Sequence, residues 1–560
     1  MDVQQMYENW LTLLDLDDDA KAELHAFTEA EKKECFGVDL AFGTGGLRGV
    51  LGLGNNRMNI YTVRKATQGL ADYLGQSGGA KSVAIAYDSR INSDVFAKEV
   101  ACVLAANGVQ VWIYPRLMPT PALSWAVREQ RCSAGVCITA SHNPGKYNGY
   151  KVYGADGCQI TLEMANDITG YIAATDIFQG IRRMDYESGL RAGLIQYVSE
   201  EILDGFIAAV KKEKINQKSD SSIPLKVVYT PLNGAGLECV ERILKETDIT
   251  DMIVVPEQRE PDGRFLTCPY PNPEIQEAMQ KGLELCEKEQ PDLLLATDPD
   301  CDRCGLAVPT QGRYELMTGN EVGILLLDYI CKVRTAEGTM PLSPVAVTTI
   351  VSSAMADPVA EKYGIELRRT LTGFKFIGEQ IGLLEQTGDD RRFIFGFEES
   401  YGYLSGSYVR DKDAVNAAML ICEMARYYKG QGKNLFDVMQ ELYAEHGVYQ
   451  TFLYSAVYDG LEGMAKMEAI MQALRQSPPE KIAGYEVRGF VDYQNTAQTG
   501  LPAGDVLEFQ VEGENKLIVR PSGTEPKIKV YVTSVGDTLA RANEIGQSLA
   551  AATEQLLAYS

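Results

Sequence analysis

A serine and a histidine stand side by side in the segment ITASHNPGKYNGYKVYG (138–154). Ser141 and His142 directly follow the small apolar residues 134–138, which are typical of a buried strand. A serine at the end of such a strand can act as a nucleophile, with the neighbouring imidazole managing its proton. The alternative is a loop serine within a helix-capping group. The G-x-S-x-G of a hydrolase nucleophile elbow does not occur at this segment.

Three aspartates form a second group with chemical potential. Asp298, Asp300 and Asp302 alternate in DLLLATDPDCDRCG (292–305), at the end of an apolar run. An extended backbone would point all three carboxylates to one side. Like charges this close together are costly unless a cation neutralises them. Since all-oxygen ligation suits Mg²⁺, the spacing predicts a magnesium site.

The aspartate segment admits other interpretations. An EF-hand fails because Arg303 and Pro309 stand where that loop needs glycine and glutamate. Cys301 and Cys304 have CxxC spacing, but no second CxxC follows and the chain has 3 histidines, so we interpret them as gap-filling residues rather than zinc ligands. A phosphatase that forms an aspartyl phosphate also uses D-x-D after a strand, and it stays open as an alternative.

Two further polar clusters follow later in the chain. In FIFGFEESYGYL (393–404), Glu398 and Ser400 could hydrogen-bond to sugar hydroxyls, although a strand-end acid is often structural. RPSGTEPKIKVYV (520–532) combines charges, hydroxyls and backbone N–H groups in a tight loop, which is typical of a phosphate cradle, with a plain β-turn as the alternative. The residues of this cradle are Arg520, Ser522, Gly523, Thr524 and Lys527.

Neither nucleotide-binding motif occurs. The Walker pattern G-x-x-x-x-G-K-[ST] is absent from the chain. The glycine-rich FGTGGLRGVLG (42–52) is not a dinucleotide fingerprint, because Arg48 occupies the place of a required glycine.

The elements that would position these clusters alternate between strands and helices. Short apolar runs such as SVAIAYD, AGVCITAS, LKVVYTP, DLLLATD, VAVTTIV and FIFGFEE recur, and segments with helical spacing lie between them, for example 95–107 and 320–333. This pattern predicts α/β units with largely parallel sheets. Ligands of such sheets bind beyond the carboxyl ends of the strands, where the clusters stand.

Size and composition limit the possible functions. A chain of 560 residues predicts about three to five domains. The net charge of -24 argues against nucleic acid or an anionic membrane as a partner. No apolar run approaches the roughly 20 residues of a membrane span, and the N-terminus is typical of neither a signal nor a transit peptide. The 12 scattered cysteines favour reduced thiols in the cytoplasm.

Composition shifts suggest where the domains divide. The segment 211–224 is charged and polar and ends in proline, which is typical of a linker, and the Pro-rich 256–273 predicts a long surface loop. We expect domains at 1–210, 211–318, 319–446 and 447–560. The first would carry the serine loop, the second the aspartates, the third Glu398 and the fourth the phosphate cradle.

Four motifs in this order resemble the α-D-phosphohexomutase family over nearly the whole chain. TASHNP is similar to the family's phosphoserine loop, DPDCDR to its metal loop, GFEES to its sugar loop and RPSGTEPK to its phosphate loop. The resemblance implies an α/β fold with four domains around a central active-site cleft. Three similar α/β domains would be followed by a smaller C-terminal α+β domain.

The resemblance also implies roles for individual residues. Ser141 would be phosphorylated in the resting enzyme and would bind Mg²⁺ together with Asp298, Asp300 and Asp302. Arg48, His142 and Lys151 are implied around the reacting phosphoryl group, and Lys412 is a further implied catalytic residue that lines the sugar site. The residues implied to bind substrate are Thr44, Arg303, Thr372, Glu398, Ser400, Arg520, Ser522, Gly523, Thr524 and Lys527. The general acid or base stays open among Lys151, Lys412 and His142.

The implied activity interconverts hexose 1-phosphate and hexose 6-phosphate. Phosphoserine would form a 1,6-bisphosphate intermediate, and glucose 1,6-bisphosphate would prime the enzyme. GTGGLRGVLGLGNNRMN and ESYGYL look like the longer phosphoglucomutases that shade into phosphopentomutases, so glucose is the expected sugar. The alternatives are a phosphopentomutase or phosphomannomutase, then the aspartyl-phosphate phosphatase, then a regulator that binds a sugar phosphate without catalysis. The only expected partner is a small sugar phosphate, and the oligomeric state is left open.

Overall fold

A computed structural model describes residues 2–43, 45–76, 78–79, 81–217, 222–458, 460–522 and 527–558. The chain divides into two compact units. Unit 1 comprises residues 1–317, 378–391 and 401–427. Unit 2 comprises residues 318–377, 392–400 and 428–560.

Helices and strands alternate through most of the described chain. The helices are α1 (Val3–Leu13), α2 (Asp18–His25), α3 (Glu29–Phe36), α4 (Ile60–Gly75), α5 (Ser93–Ala106), α6 (Thr120–Glu129), α7 (Leu162–Ala174), α8 (Tyr186–Arg191), α9 (Glu200–Lys212), α10 (Leu237–Glu246), α11 (Pro256–Arg259), α12 (Gln276–Glu289), α13 (Gly319–Glu337), α14 (Ala356–Tyr363), α15 (Phe374–Gln386), α16 (Ala414–Lys429), α17 (Leu435–His446), α18 (Gly460–Gln476), α19 (Thr496–Thr499) and α20 (Leu539–Leu557), with a 3₁₀ turn at Asp390–Arg392.

The strands are β1 (Phe42–Gly43), β2 (Gly46–Val50), β3 (Ser82–Tyr87), β4 (Gln110–Ile113), β5 (Ala134–Ile138), β6 (Tyr147–Gly154), β7 (Ile195–Tyr197), β8 (Lys226–Thr230), β9 (Asp251–Val254), β10 (Leu293–Thr297), β11 (Cys304–Pro309), β12 (Tyr314–Met317), β13 (Val345–Thr349), β14 (Glu366–Thr370), β15 (Phe393–Glu398), β16 (Gly402–Leu404), β17 (Val448–Val457), β18 (Lys481–Ile482), β19 (Tyr485–Asp492), β20 (Leu507–Val511), β21 (Asn515–Pro521) and β22 (Lys527–Gly536).

The first sheet of unit 1 has the order β1-β2-β6-β5-β3-β4-β7. Strands β5, β3, β4 and β7 run parallel, whereas β6 pairs antiparallel with both β5 and β2. The buried faces of α4 and α5 pack with the central strands, and side chains such as Leu70, Phe96 and Val136 form this core. Burying such aliphatic and aromatic side chains contributes about 1.5–3 kcal/mol each, so the sheet is a rigid base for the loops at its edge.

The second sheet of unit 1 has the order β12-β11-β10-β8-β9. Strands β10 and β9 are parallel to β8, and β11 returns antiparallel to β10. All five residues of β10 are buried. The turn from β10 to β11 holds the three predicted aspartates, so a strand with no exposed residue fixes the position of these carboxylates.

Unit 2 contains a parallel set of strands and an antiparallel sheet. Strands β14 and β15 flank β13, and both run parallel to it. The C-terminal sheet has the order β17-β22-β21-β20-β19-β18, and its neighbouring strands are antiparallel. The loop after β13 packs against β21 and β22 through a cluster that includes Ile350, Leu371, Ile518 and Tyr531.

The strands and helices named in the sequence analysis correspond to β3, β5, β8, β10, β13, β15, α5 and α13. The expectation of largely parallel sheets needs correction, because β6, β11 and β12 return by short turns and therefore pair antiparallel. The expected surface loop over 256–273 is also only partly exposed, since it begins with α11 and buries Phe265 completely. In the part of the chain described here, no helix has the length and apolar character of a membrane span.

Candidate active site

Ser141 lies at the end of a fully buried strand, as predicted. The residues of β5 are all buried, and Ser141 itself is 3% exposed. Its φ is +53°, a left-handed conformation that an L-residue adopts only when its surroundings impose it. The next element is β6 rather than a helix, so the helix-capping interpretation of this serine does not apply.

Two side chains lie within hydrogen-bond distance of the Ser141 hydroxyl. Its Oγ donates to Oδ2 of Asp298 over 3.0 Å and lies 3.1 Å from Nδ1 of His142. Burial first, and then the charges of Arg303 and Arg48, lower the pKa of His142 well below its usual value. The neighbouring imidazole is therefore neutral near pH 7 and can exchange a proton with the serine.

The three aspartates converge through a turn rather than an extended strand. The N–H of Cys301 donates to the carbonyl of Asp298 over 2.9 Å, and Cys301 has a φ of +54°. The proline between the first two aspartates fixes its own φ, which favours this turn over continued strand. The expectation of an extended backbone is wrong, but the predicted convergence is present. One oxygen from each carboxylate lies within 4.8 Å of the others.

The buried carboxylate oxygens are divided into two sets. Oδ1 of Asp298 accepts from the backbone N–H groups of Asp302 and Arg303 over 3.1 and 3.0 Å. In contrast, no donor among the described residues reaches Oδ1 of Asp300 or Oδ1 of Asp302. A buried carboxylate oxygen without a donor is costly, and a bound cation removes that cost. The donor set therefore fits a metal ion that prefers oxygen ligands.

Two lysines hold the other carboxylate oxygens. Nζ of Lys151 lies 2.7 Å from Oδ2 of Asp300 and 3.3 Å from Oδ2 of Asp302. Nζ of Lys412 lies 2.9 Å from Oδ2 of Asp302. Burial alone would lower the pKa of Lys151, but Asp300 and Asp302 outweigh it and raise this pKa. Lys151 is therefore a cation at neutral pH.

The surroundings shift the pKa values of Asp298 and Asp302 in opposite directions. Burial raises the pKa of Asp298 well above its usual value, and the charges of Asp300 and Asp302 add to this. Burial also acts on Asp302, but the nearby cations, chiefly Lys412 and Lys151, lower its pKa overall. The lysines therefore stabilise the charge of Asp302, whereas the charged form of Asp298 is disfavoured until a cation binds.

Two arginines predicted for the site lie beside this group. Arg303 donates to Oε1 of Glu274 over 2.5 Å, and its charge acts on both His142 and Asp302. Arg48 lies on β2 and donates to Oδ1 of Asn143 over 3.2 Å. Both guanidinium groups therefore lie beside the serine loop, although Arg48 precedes this loop in the chain and Arg303 follows it.

A buried ion pair beneath the serine loop was not identified from the sequence. Arg90 and Asp88 follow β3, their side chains are fully buried, and Nε of Arg90 lies 3.3 Å from Oδ2 of Asp88. The guanidinium donates to the backbone carbonyls of Ser141, Asn143, Pro144 and Tyr147. The signal available in the sequence was the same strand-end position that drew attention to the serine.

Thr120 was also missed. It is the first residue of α6, and its hydroxyl donates to Oδ2 of Asp300 over 3.0 Å. Its N–H donates to the carbonyl of Asp300 over 2.9 Å. The first bond holds Oδ2 of Asp300 and leaves Oδ1 available to a cation, and the second fixes the backbone of Asp300. A residue 180 positions away has no local signal for this contact.

Unit 2 contains the residues predicted to contact the sugar. Glu398 ends β15 and is 4% exposed, and Ser400 follows two residues later. The neighbouring Glu399 accepts from the hydroxyls of Thr349 and Ser352 over 3.1 and 3.3 Å. The hydroxyl of Thr372 is buried without a hydrogen-bond partner among the described residues. Unpartnered groups of this kind are available to a polar ligand.

The predicted phosphate loop is also in unit 2. Arg520 lies near the end of β21, and the N–H of Ser522 donates to the carbonyl of Lys527 over 2.7 Å. Burial, with the nearby Glu399, raises the pKa of Tyr531 to about 12, while a hydrogen bond from Arg520 acts against this rise. Tyr531, which the sequence did not single out, therefore adjoins both predicted loops. Thr44, Gly523 and Thr524 lie outside the described residues.

The structure thus divides the predicted residues between the two units. Unit 1 holds the set around the serine and the aspartates, and unit 2 holds the set on the sugar and phosphate loops. The set in unit 1 is Arg48, Ser141, His142, Lys151, Asp298, Asp300, Asp302, Arg303 and Lys412. The set in unit 2 is Thr372, Glu398, Ser400, Arg520, Ser522 and Lys527.

Models of all four domains of one protein family match the chain in order. The phosphoglucomutase/phosphomannomutase α/β/α domains I, II and III match residues 39–177, 204–312 and 318–446. The C-terminal domain of the same family matches residues 462–551. These matches confirm the predicted architecture of three similar α/β domains followed by a smaller C-terminal domain.

Individual proteins agree with this assignment. The phosphoglucomutase of Staphylococcus aureus strain MSSA476 is 36% identical over 518 residues, which cover 90% of this chain and 91% of that protein. The crystal structure of a putative phosphomannomutase from Thermus thermophilus has a TM-score of 0.70 at 22% identity, covering 93% of this chain and 99% of the other. The open form of Paramecium pp63/parafusin, a phosphoglucomutase, has a TM-score of 0.69 at 17% identity, covering 93% and 95%. This chain therefore belongs to the phosphoglucomutase/phosphomannomutase family.

Proposed function

We propose that this protein is a phosphosugar mutase that interconverts glucose 1-phosphate and glucose 6-phosphate. The phosphoryl group would be stored on Ser141 and passed to the free hydroxyl of the sugar phosphate, which forms glucose 1,6-bisphosphate. The other phosphate of this intermediate would then return to Ser141. The relatives named phosphoglucomutase at 36% identity support glucose as the sugar.

One observation supports this proposal most directly. The Ser141 hydroxyl is 3.0 Å from Asp298, in a buried group of three carboxylates that has two oxygens without donors among the described residues. A serine that only shaped its loop would not need an acidic group with spare ligand positions beside it. A serine that carries a phosphate needs cations on that side, because the phosphate brings a charge of about −1.5 to −2.

We propose that Asp298, Asp300, Asp302 and Ser141 hold Mg²⁺. The two buried oxygens on Asp300 and Asp302, which no donor of the described chain reaches, support this assignment. When bound, Mg²⁺ supplies Lewis-acid stabilisation of the charge on the transferring phosphoryl group. Thr120 and Lys151 would keep Asp300 oriented for this ligation through their bonds to its Oδ2.

Proton movement would involve residues already in contact with Ser141. As the serine hydroxyl attacks the bisphosphate, its proton would pass to Nδ1 of His142, 3.1 Å away. Lys151 is held as a cation by two aspartates, so its proposed role is to offset charge and to donate a proton to the departing sugar oxygen. Arg48, Arg303 and Lys412 would add positive charge around the transferring group.

The remaining predicted residues would bind the part of the substrate that does not react. Glu398, Ser400 and Thr372 would hydrogen-bond the sugar hydroxyls. The other phosphate would be held by charged side chains and loop N–H groups, an arrangement suited to phosphate. The residues proposed for this role are Arg520, Ser522, Gly523, Thr524 and Lys527, with Thr44 a further substrate contact.

Several finer assignments belong to the same proposal. Mutase members that prefer mannose or pentose phosphates are the nearest alternatives, and the aspartyl-phosphate phosphatase is a more distant one. We keep the domain limits 1–210, 211–318, 319–446 and 447–560 as proposals. A cytoplasmic location is supported by the 12 cysteines, which the structure contains as buried thiols.

A coupled assay tests the proposed substrate. Purified protein, primed with glucose 1,6-bisphosphate, is given glucose 1-phosphate, mannose 1-phosphate or ribose 1-phosphate in turn. We expect the highest kcat/KM with glucose 1-phosphate. A higher value with ribose 1-phosphate would instead assign the protein to the pentomutases, and release of inorganic phosphate as the main product would favour the phosphatase.

A further inference from the structure

We propose that Arg90, held by Asp88, is a positioning residue that sets the phosphoryl-accepting conformation of the Ser141 loop. Neither residue touches the substrate in this account. The inference rests on the proposed function, because it concerns how Ser141 is presented for phosphorylation. It concerns residues 88–90, which contain none of the nucleophile, metal-binding or sugar-binding groups described above.

One side chain, Arg90, donates hydrogen bonds to four backbone carbonyls of the serine loop and the start of β6. Arg90 donates to the carbonyls of Ser141 and Asn143, and to those of Pro144 and Tyr147 over 3.0 Å each. These carbonyls lie between residues 141 and 147, so one side chain ties the whole serine loop to the start of β6. A guanidinium has a rigid, planar set of donors. When it binds several carbonyls at once, it fixes the positions of these carbonyls relative to one another and thus the shape of the loop.

Hydrogen bonds through Thr139 connect Asp88 of the ion pair to the backbone of Ser141. The Thr139 hydroxyl donates to Oδ2 of Asp88 over 2.6 Å and accepts from the N–H of Ser141 over 2.8 Å. A hydroxyl has a single proton. Both oxygens of Asp88 accept hydrogen bonds, so the carboxylate takes this proton and leaves an oxygen lone pair of Thr139 for the N–H of Ser141.

These contacts hold the backbone of Ser141 in an unusual conformation. Ser141 has a φ of +53°, a left-handed conformation that an L-residue keeps only when its surroundings impose it. Its carbonyl is held by Arg90 and its N–H by Thr139, so both sides of the residue are fixed. In this conformation the hydroxyl reaches Asp298. A relaxed backbone at Ser141 would redirect the hydroxyl.

Protein encloses Arg90 on all sides. Its side chain is fully buried, and its guanidinium carbon lies 5.1 Å from the ring centre of the buried Phe265. Asp88 is occupied by Thr139, by the hydroxyl of Ser93 and by the N–H of Arg90. A buried ion pair of this type is poor evidence of stability alone, because apolar residues often pack as well. The contacts to the serine loop give it a reason to be present.

The test measures phosphorylation of Ser141 separately from substrate binding. Dephosphorylated wild-type protein and Arg90→Met, Arg90→Lys and Thr139→Val variants are mixed with labelled glucose 1,6-bisphosphate, and single-turnover incorporation at Ser141 is followed. Arg191→Met, an exposed arginine with a side chain 71% accessible, is the matched control. Affinity for glucose 1-phosphate is measured by calorimetry in a Ser141→Ala background, and thermal unfolding is recorded for every variant.

We expect Arg90→Met to slow incorporation by about 100-fold, the loss typical of a misplaced reacting group, with unchanged affinity for glucose 1-phosphate. Arg90→Lys should recover part of the rate, because an ammonium can serve some of the carbonyls. Thr139→Val, which keeps the ion pair, should also be slow, and it decides the question if Arg90→Met does not fold. The control should match wild type.

The inference is overturned if folded Arg90→Lys and Thr139→Val both incorporate phosphate at the wild-type rate. It is also overturned if the Arg90 variants show parallel losses in the rate of phosphate incorporation, in affinity for glucose 1-phosphate and in unfolding temperature. Parallel losses would indicate that Arg90 only stabilises the fold. Absence of incorporation in the wild-type protein would instead contradict the proposed function, and the inference that rests on it would fall with it.

Discussion

The hydroxyl of Ser141 lies 3.0 Å from Oδ2 of Asp298, although the two residues are 157 positions apart in the chain. Each stands just beyond the carboxyl end of a fully buried strand, β5 for the serine and β10 for the aspartate. Two separate sheets of unit 1 therefore meet at this pair. A group stored on the serine would lie beside the carboxylates, which is the geometry that a metal-assisted phosphoryl transfer requires.

Replacing Asp300 with asparagine should abolish most of the metal affinity. The change removes one of the two oxygens that no described donor reaches, and it keeps the size of the side chain. We expect kcat/KM to fall by about 100-fold or more, equivalent to at least about 2.7 kcal/mol of transition-state stabilisation. Calorimetry with Mg²⁺ should show a matching loss of affinity, independent of turnover.

The exposed Asp251, on β9, provides the control for this substitution. Asp251→Asn should bind Mg²⁺ and turn over substrate like the wild type. Full activity of the wild type after exhaustive chelation, or normal Mg²⁺ affinity of Asp300→Asn, would contradict the metal assignment.

Substituting Glu398 should reduce discrimination between sugar epimers. Glu398 is 4% exposed at the end of β15, and its carboxylate is proposed to accept from adjacent ring hydroxyls. A site of this kind penalises a substrate whose hydroxyl is inverted, by at least about tenfold in kcat/KM. In Glu398→Gln, the ratio of kcat/KM for glucose 1-phosphate to that for mannose 1-phosphate should fall towards one.

The exposed Glu361 on α14 offers a matched control, and Glu361→Gln should keep the wild-type ratio. If Glu398→Gln also keeps it, this loop does not distinguish the epimers and another group must be responsible.

Stability should depend on pH through one partly buried lysine of unit 2. Lys516 donates to the carbonyl of Ile350 over 3.0 Å, and burial, followed by the charge of Arg369, lowers its pKa from 10.5 to about 8. Between about pH 8 and pH 10.5, Lys516 is protonated in the unfolded chain and neutral in the folded chain. Folding therefore releases a proton, and stability increases as the pH rises through this range.

Comparing wild type with Lys516→Met isolates this effect. The cost of burying the amine is fully present below pH 8, where it reaches about 3 kcal/mol, and is lost above pH 10.5. Urea unfolding at pH 7 and pH 10 should show wild type gaining stability relative to the variant. The exposed Lys481→Met serves as the control, and a constant difference between wild type and Lys516→Met at both pH values would contradict the prediction.

Local features of the chain were sufficient to predict much of the fold and part of the site. Ser141 and Asp298 were found because each follows an apolar run, and the burial of β5 and β10 bears out that pattern. The turn at the aspartates was not predicted, because D-x-D-x-D spacing is compatible with both an extended strand and a turn. Hydrogen bonding of Cys301 to Asp298 decides between them.

Contacts between distant segments explain what the sequence did not reveal. Arg90 binds carbonyls more than 50 positions away, and Thr120 binds an aspartate 180 positions away. The adjacent sequence gives no signal for Thr120, and for Arg90 it gives only the position after a strand end, which does not reveal its partners. Their roles depend on which strands become adjacent in the first sheet and on how that sheet meets the second, which periodicity does not specify.

The most direct test of the central claim is to locate the phosphate by mass spectrometry after exposure to labelled glucose 1,6-bisphosphate. The account predicts about one phosphate per chain, on Ser141 within the peptide 138–151, and full turnover of glucose 1-phosphate once it is present. Ser141→Ala should take up no phosphate and turn over no substrate while still binding glucose 1-phosphate. Label on Asp298, or wild-type turnover by Ser141→Ala, would contradict the account and favour the aspartyl-phosphate phosphatase.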